Sequence, residues 1–140
     1  MSLIRRTESL GMFWGIQDIT FSNDTGTVSV LTVTGDVIVR IIPVVITDIV
    51  SAALADISLG VVGNTDAMIV NSLSTNLDAR GIWVDQTPDN EIEPLDRMRS
   101  YIITNGNDVI LTLSAQVDSG AIRFYYGWSP LSTDGNVVNA

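Results

Sequence analysis

Short runs of β-branched and apolar residues, separated by polar turns, occupy most of this chain. The run TVSVLTVT at residues 27–34 is rich in residues that favour strands, and Gly35-Asp36 ends it. The next run, VIVRIIPVVIT at residues 37–47, is apolar on both faces, which is typical of a central strand in a sandwich. Pro43 has no N–H to donate to a ladder, so it predicts a bulge or a bend between sheets.

The most regular alternation lies between residues 100 and 128. Three runs, SYIIT, DVILTLSA and AIRFYYGW, are separated by Asn-Gly-Asn at 105–107 and by Asp-Ser-Gly at 118–120. Because Asn-Gly is a strong hairpin signal, this spacing predicts a three-stranded meander. Arg123 and Tyr125 lie on the outward face of its last strand, where they are available to a partner. The alternation assigns four side chains to the core: Leu111, Leu113, Phe124 and Tyr126.

About eight such strands, and no helix longer than a turn or two, predict an all-β fold that is either an antiparallel β-sandwich or a jelly roll. Segments 48–55 and 94–100 are candidates for short helices. We expect less than about a fifth of the residues in helix, against the usual third.

The first 20 residues differ from the rest, because their apolar residues follow no clear period. A glycine on each side brackets the aromatic pair Phe13-Trp14, which suggests a bend on either side of it. We therefore expect an N-terminal arm over residues 1–20 and a sandwich domain over residues 21–140. The alternative is that this leader is the first strand of the domain, with the aromatic pair in its core.

The composition removes the residues on which most catalytic and metal sites depend. The chain has no Cys and no His, and all seven of its basic residues are Arg. It therefore lacks a thiolate nucleophile, an imidazole base, the usual zinc ligands and a lysine for Schiff-base chemistry. We expect no enzymatic activity and no cofactor.

One triplet, Asp24-Thr25-Gly26, also occurs at the catalytic carboxylate of aspartic proteases. Those enzymes place the aspartate at the end of an apolar strand, so that two carboxylates share one proton in a shielded dyad. Here the polar residues Ser22 and Asn23 precede it, and a long strand begins just after Gly26. Asn, Asp and Gly at this spacing predict a turn.

The loop at residues 85–96 is rich in carboxylates, the oxygen ligands that Ca²⁺ accepts. Their spacing matches no EF-hand, and the glycine of that loop type is absent. We therefore expect a solvated loop, or a partner for a neighbouring Arg, and we assign no metal site to it. The acidic residues considered are Asp85, Asp89, Glu91 and Glu93.

The Trp and Tyr residues of the chain are candidates for a platform on which a sugar could stack. Alternation in the last strand of the meander places Tyr126 and Trp128 on its inner face. Core packing is therefore the better account of these two side chains.

The charges indicate the kind of partner. A net charge of −9 argues against nucleic acid, because phosphate binding requires clustered basic residues. Residues 1–17 carry a net charge of +1, from Arg5 and Arg6 against Glu8, whereas residues 18–140 carry −10. A slightly basic leader suits contact with an acidic surface, unless it is an ordinary solvated terminus.

The chain is poor in charged residues for its size. Only 16% of its residues are charged, whereas ordinary soluble domains are about a quarter charged. We therefore expect apolar surface to face another subunit and predict a homo-oligomer, specifically a trimer. The longest apolar run, residues 37–46, contains Arg40 and Pro43 and is too short to span a bilayer, so we expect no membrane partner.

Six stretches of the chain follow one another in a characteristic order. They are GTVSVLTVTGDVIV (26–39), ISLGVVGNTDAMI (57–69), GIWVD (81–85), EIE (91–93), YIITNGNDVILTL (101–113) and FYYGWSPLSTDGNVV (124–138). In the same order they resemble a group of small virion proteins of tailed bacteriophages. The resemblance covers roughly residues 26–138, leaves out the leader, and lies in sequence texture and not in a catalytic signature.

Such phage proteins commonly act as capsid decoration, or cement, proteins: small β-rich subunits, often trimeric, that sit on the assembled shell and clamp neighbouring capsomers. The resemblance implies a structural virion protein on the capsid surface whose partner is the major capsid protein. Two alternatives stay open: a tail- or fibre-associated virion protein, and a carbohydrate-binding sandwich module for host attachment.

The leader lies outside the resemblance and is therefore free to recognise a partner. An arm that reaches across a joint adds contacts along a shell. We expect Arg5 and Arg6 to pair with carboxylates of a neighbouring subunit or of the shell. We expect Phe13 or Trp14 to fill an apolar pocket there.

Overall fold

The computed structural model of the protein describes residues 12–85, 88 and 91–140. Most of them lie in antiparallel strands, and helical structure in this part of the chain is limited to single 3-10 turns at Ser74–Asn76 and Leu95–Arg97. The predicted all-β fold is confirmed. No helix within these ranges is long and apolar enough to cross a bilayer. The strands are β1 (Phe13–Thr34), β2 (Val37–Val50), β3 (Asp56–Val61), β4 (Asn64–Leu73), β5 (Ser100–Ile103), β6 (Val109–Pro130) and β7 (Asn136–Asn139).

Two long strands, β1 and β6, run through both layers of the molecule. Each has 22 residues, and they pair with each other along most of their length. At one end they belong to a first layer with the order β4-β3-β6-β1-β7. At the other end β2 and β5 join β6, which gives a second layer with the order β5-β2-β6-β1. The sheet thus folds over itself into a β-sandwich.

The inward faces of both layers contribute to one hydrophobic cluster. Leu59 and Leu111 come from the first layer, Ile41 and Phe124 come from the second, and all four are buried. The hydroxyl of Tyr101 also donates a hydrogen bond of 2.9 Å to the carbonyl of Met68, which ties β5 to β4. The predicted core residues are confirmed, since each is at most 6% exposed: Leu111, Leu113, Phe124 and Tyr126.

The three-stranded meander predicted over residues 100–128 is wrong. β5 pairs with β2, not with β6, and residues 118–120 lie inside β6. Asn105 and Gly106 do adopt the positive φ of a tight turn. The N–H of Asn105 donates to the Asp36 carboxylate, however, so the turn is attached to the corner between β1 and β2. Its two strands therefore continue into different layers.

Part of the predicted arm is a strand. Residues 13–20 lie in β1 and pair with residues 121–128 of β6, so that stretch belongs to the sheet. It lacked a clear period because apolar side chains occur on both of its faces, including Phe13, Trp14 and Ile16, and all three remain exposed. Residues 1–11, with Arg5 and Arg6, lie outside the described residues, and an arm there stays a prediction.

The Asp24-Thr25-Gly26 triplet forms an irregularity within β1, so the predicted reversal of the chain is wrong. The register with β6 shifts between Asp24 and Gly26: one residue of β1 faces three of β6 between these pairs. The positive φ expected of Gly26 is confirmed at 76°, and Asn23 also has a positive φ. The Asp24 carboxylate accepts the N–H of Ser22 at 2.8 Å. Turn-forming residues therefore build a bulge where the strand passes from one layer to the other.

β2 differs from its prediction at two positions. It extends to Val50, so the helix predicted over residues 48–55 is wrong. Its register with β6 continues through Pro43 and shifts only after Val45, so the predicted bulge at the proline is also wrong. The carbonyl of Pro43 accepts the N–H of Trp83, on the side away from β6. The missing N–H of the proline points the same way and removes no bond to β6.

Candidate interaction surface

The second layer turns one side toward the core and leaves much of the other side open. Along β2, buried residues alternate with partly buried ones from Val37 to Val45. The partly buried set faces away from the core, and its partners on β6 and β1 do the same, because residues paired across strands share a face. We call this outward surface the aromatic face and define it by six residues: Trp14, Ile16, Arg40, Ile42, Arg123 and Tyr125.

Three apolar side chains form a row across the aromatic face. Ile16 of β1 pairs with Tyr125 of β6, which pairs with Ile42 of β2. Ile16 is 49% exposed and Tyr125 is 37% exposed. Because side chains opposite each other lie about 4.5–5.5 Å apart at Cβ, the three form a continuous apolar strip. An apolar strip of this kind on a protein surface is typical of a site that binds another macromolecule.

Two glycines allow aromatic rings to lie across the strand pair. A Cβ at Gly127 would lie 2.9 Å from the indole of Trp14, so the Trp14 ring covers Gly127 on the aromatic face. On the opposite face a Cβ at Gly15 would lie 2.5 Å from the ring of Tyr126. The Tyr126 hydroxyl donates to the side-chain oxygen of Asn139 at 2.7 Å. Trp14 thus lies on Gly127 while 58% of its surface stays exposed.

Arg123 is paired within the chain. Its Nε and one terminal nitrogen donate to the two carboxylate oxygens of Asp18 at 2.8 and 3.0 Å, a bidentate pair between β6 and β1. The hydrogen bond from Arg123 lowers the pKa of Asp18, and the Asp18 carboxylate raises the pKa of Arg123. Both side chains are partly exposed, so the pair orders this end of the aromatic face more than it stabilises the fold.

Arg40 is the polar group at the centre of the aromatic face. It pairs with Gly127, on which Trp14 lies, and on its other side it pairs with Ser100 of β5. Its Nε is buried and has no hydrogen-bond partner among the described residues. The residue as a whole is partly exposed, so a carboxylate supplied by another molecule could pair with its charge.

The predicted partner-binding residues fall into three groups. Phe13, Trp14 and Tyr125 are exposed in the second layer, Arg123 is there too but paired with Asp18, and the two leader arginines lie outside the described residues. Sequence reasoning missed Arg40 and the row-mates of Tyr125. The available signal was an arginine inside the apolar run VIVRIIP, which marks one face of that strand as not fully buried.

The acidic loop is held by two ion pairs. Arg80 contacts Glu91 at 2.8 Å, and Arg97 contacts Glu93 at 3.2 Å, with the Glu93 side chain only 1% exposed. Asp85 accepts the N–H of Val70. Within the part of the chain that the structure describes, no group of three or more acidic residues is arranged to hold a metal ion. Asp89 lies outside that part.

The three tryptophans have different surroundings. Trp83 is buried and its Nε1 donates to the Ser72 hydroxyl at 3.0 Å. Trp128 packs against Phe13, with ring centroids 5.0 Å apart. Trp14 is the most exposed of the three. A stacking platform built from several tryptophans is therefore absent from the described surface.

No protein-family model matches the chain, and no curated protein matches it. In a comparison with solved structures it is similar to a chain of the "acidic stable capsid structure" of Helicobacter pylori bacteriophage KHP30. The TM-score is 0.49 at 12% sequence identity, and the match covers 91% of this chain and 94% of that chain. A likeness at this level carries no argument about function. The proposal that follows rests on the sequence resemblance and on the aromatic face.

Proposed function

We propose that this chain is a structural virion protein of a tailed bacteriophage that decorates the capsid surface. In this role it binds the major capsid protein, stabilises the joints between capsomers and acts as a homotrimer. The observation that carries the proposal is the aromatic face, an open sheet surface in a chain whose residues 26–138 resemble such proteins. The role needs binding surface and no catalytic group, which agrees with a composition that lacks Cys, His and Lys.

The aromatic face is suited to binding a large partner because its candidate anchors project from paired strands. Trp14 lies on Gly127, and Tyr125 stands between Ile16 and Ile42 in the strand register. Anchors fixed by a sheet lose little conformational entropy on binding. Aromatic and Arg side chains are also the residues that most often dominate the binding free energy of an interface.

The direct test is to mix the purified protein with phage shells that lack it and to image the particles. We expect added density on the outer surface of the shell. Trp14→Ala should weaken binding by about 2 kcal/mol, roughly a thirtyfold loss of affinity. Val62→Ala is the matched control, because Val62 is also exposed but lies at the turn between β3 and β4. Shells that bind no protein at all would contradict the proposal, and density only on tails would favour the tail-associated alternative.

The arm has its own test, because residues 2–11 precede β1 and their deletion leaves the strand intact. We expect the truncated protein to keep its fold and to lose shell binding. Arg5→Ala alone should have a smaller effect than Trp14→Ala, because exposed charges at the rim of an interface contribute little. Unchanged binding by the truncated protein would overturn the arm and leave the aromatic face as the binding surface.

A carbohydrate-binding module is the second candidate, and the exposure of neighbouring aromatic residues favours it. Trp14 is 58% exposed and Tyr125 is 37% exposed on the same face, and exposed rings can stack on sugars. Binding to a panel of bacterial surface glycans, lost in Trp14→Ala and accompanied by no binding to shells, would support this candidate over decoration.

A further inference from the structure

The loop that precedes β5 carries the most exposed large apolar side chains of the described residues. Ile92 is 86% exposed and Leu95 is 74% exposed. We call residues 91–97 the strap. Glu91 pairs with Arg80, which lies outside the strap, at 2.8 Å. Glu93 pairs with Arg97 within the strap, and its side chain is only 1% exposed. The strap thus turns the Glu93 side chain inward and leaves its two aliphatic side chains exposed together with Asp96.

The strap and β1 lie at opposite edges of the second layer. The edge of β2 that faces away from β6 is lined by β5 and by residues 80–83, whose backbone bonds to Pro43 and Val45. The strap belongs to the connection between those two segments. β1 forms the other edge, beyond β6. One edge of the molecule thus offers the strap, and the opposite edge offers the β1 side of the aromatic face.

The two surfaces are complementary in chemistry. The aromatic face offers an apolar strip at Ile16 and Tyr125, and beside it the positive charge of the partly exposed Arg40. The strap offers two aliphatic side chains and the exposed carboxylate of Asp96. The net charge of −10 on residues 18–140 opposes association of two copies in general. A contact that brings a carboxylate to Arg40 is one of the few attractive arrangements open to them.

We propose that the strap of one copy docks on the aromatic face of the next, with Ile92 and Leu95 against Ile16 and Tyr125, and Asp96 near Arg40. Because the two surfaces differ, the contact is head-to-tail, and it closes into a ring when the rotation between copies permits. The proposal names the residues at the subunit interface of the homo-oligomer proposed above. It therefore rests on that oligomer and not on shell binding.

Sedimentation of the full chain tests the energetics of the contact. Leu95→Asp should weaken self-association at least about tenfold, since it places a charge in a contact made by aliphatic groups. Val62→Asp is the matched control, because Val62 is also an exposed aliphatic residue but lies at the turn between β3 and β4, outside both surfaces, and its change should leave association unaltered. Asp96→Arg should also weaken association, and Arg40→Glu combined with Asp96→Arg should recover most of it. A wild-type chain that stays monomeric at micromolar concentration would overturn the proposal.

Cysteine cross-linking tests the geometry without background, because the chain contains no Cys. The Ile16→Cys and Leu95→Cys variants are mixed and treated with diamide, which is reduced as two thiols are oxidised to a disulfide. A disulfide joining the two different variants is expected to predominate. Disulfides that join each variant only to itself, or none from an oligomeric sample, would overturn the head-to-tail contact. If the protein is monomeric but still binds shells, only the subunit contact is wrong. If it is oligomeric but does not bind shells, only the virion role is wrong.

Discussion

The two layers carry outward rows of opposite chemistry on the same pair of strands. In the first layer the row Thr27–Thr112–Ser58 crosses β1, β6 and β3. In the second layer the equivalent row crosses β1, β6 and β2 with Ile16, Tyr125 and Ile42. In both rows β1 pairs with β6, and β6 pairs with a third strand, all antiparallel. This pairing forms with hydroxyl side chains in one layer, so it does not require the apolar side chains of the other. The presence of the apolar row in one layer points to a binding surface there.

The first layer also covers part of its own outward side. Ser58 is buried and its hydroxyl donates to the carbonyl of Thr65 at 2.9 Å. A Cβ at Gly60 would collide with the backbone of Asn64 and Thr65, so the start of β4 lies close over β3. No described segment covers the apolar row of the second layer in this way, since Ile16 and Tyr125 remain exposed. Among the described residues, the chain thus covers part of one outward side and leaves the apolar row of the other exposed.

The largest expected effect tests whether the layers are one folding unit. Phe124→Ala in the second layer should cost about 3–5 kcal/mol, and Leu111→Ala in the first about 2–5 kcal/mol, because both side chains are fully buried in one cluster. Denaturant unfolding should show one transition in each variant, with its midpoint lowered. Two separate transitions would show that the layers unfold independently. The two layers could then not be compared as parts of one folding unit.

Local alternation was a good guide to which side chains face inward. Phe124 and Tyr126 are buried, and Arg123 and Tyr125 lie on the other face, as the period of two predicts. This period is a property of the backbone, so it can be read without knowing which strands pair. Tyr125 of the aromatic face was accessible in the same way, whereas Trp14 was predicted as a binding residue of an arm and lies in β1.

The sequence did not predict which strands pair, because the same turn residues occur in hairpins, in other loops and inside strands. The positive φ of Asn105 and Gly106 suits a hairpin, yet hydrogen bonds to the β1–β2 corner send the flanking strands into different layers. Gly120 was interpreted as a turn residue, but its φ of 118° lies inside β6. The charge of Arg40 marks one face of β2 as not fully buried, but strand pairing was needed to place Arg40 beside Gly127 and Trp14.

The next prediction compares Gly15 and Gly127, the two glycines of the second layer that lie under an aromatic ring. Gly15→Ala should destabilise the fold by about 1–3 kcal/mol, because the Tyr126 ring it would meet is buried and tied to Asn139. Gly127→Ala should cost less, since the ring it would meet belongs to the exposed Trp14 and can move aside. Thermal unfolding of both variants measures the difference. Equal costs would mean that Trp14 is held as firmly as Tyr126.

A third prediction uses the two rows as matched positions. Ile16→Asp and Thr27→Asp each place a carboxylate on the outward side of β1 and should each change stability by no more than about 0.5 kcal/mol. Self-association and shell binding should weaken at least about tenfold in Ile16→Asp alone, because only its row is proposed to be covered by a partner. Binding assays on both variants check this. Equal losses in the two variants would remove the functional distinction between the layers.

The smallest expected effect concerns the ion pair at the end of the aromatic face. The hydrogen bond from Arg123 lowers the pKa of Asp18, so the folded state holds this proton less tightly than the unfolded state. The pair therefore contributes stability above the ordinary carboxyl pKa of about 3.9, and that contribution is lost as the pH falls through the lowered folded-state value. Asp18→Asn should be slightly less stable than the wild type near pH 7 and indistinguishable from it in strong acid.

Salt separates this origin from lost packing. Both side chains are partly exposed, so the difference at pH 7 should shrink in about 1 M salt, where charges are screened within roughly 3 Å. Arg123→Gln should raise the Asp18 pKa toward its ordinary value, as followed by carboxyl NMR titration, and should add little to Asp18→Asn in the double variant. A stability difference that persisted in acid and in salt would assign the role of Asp18 to packing between β1 and β6. The ion pair would then contribute nothing electrostatic to the aromatic face, and only the apolar row would distinguish this face from the hydroxyl row of the first layer.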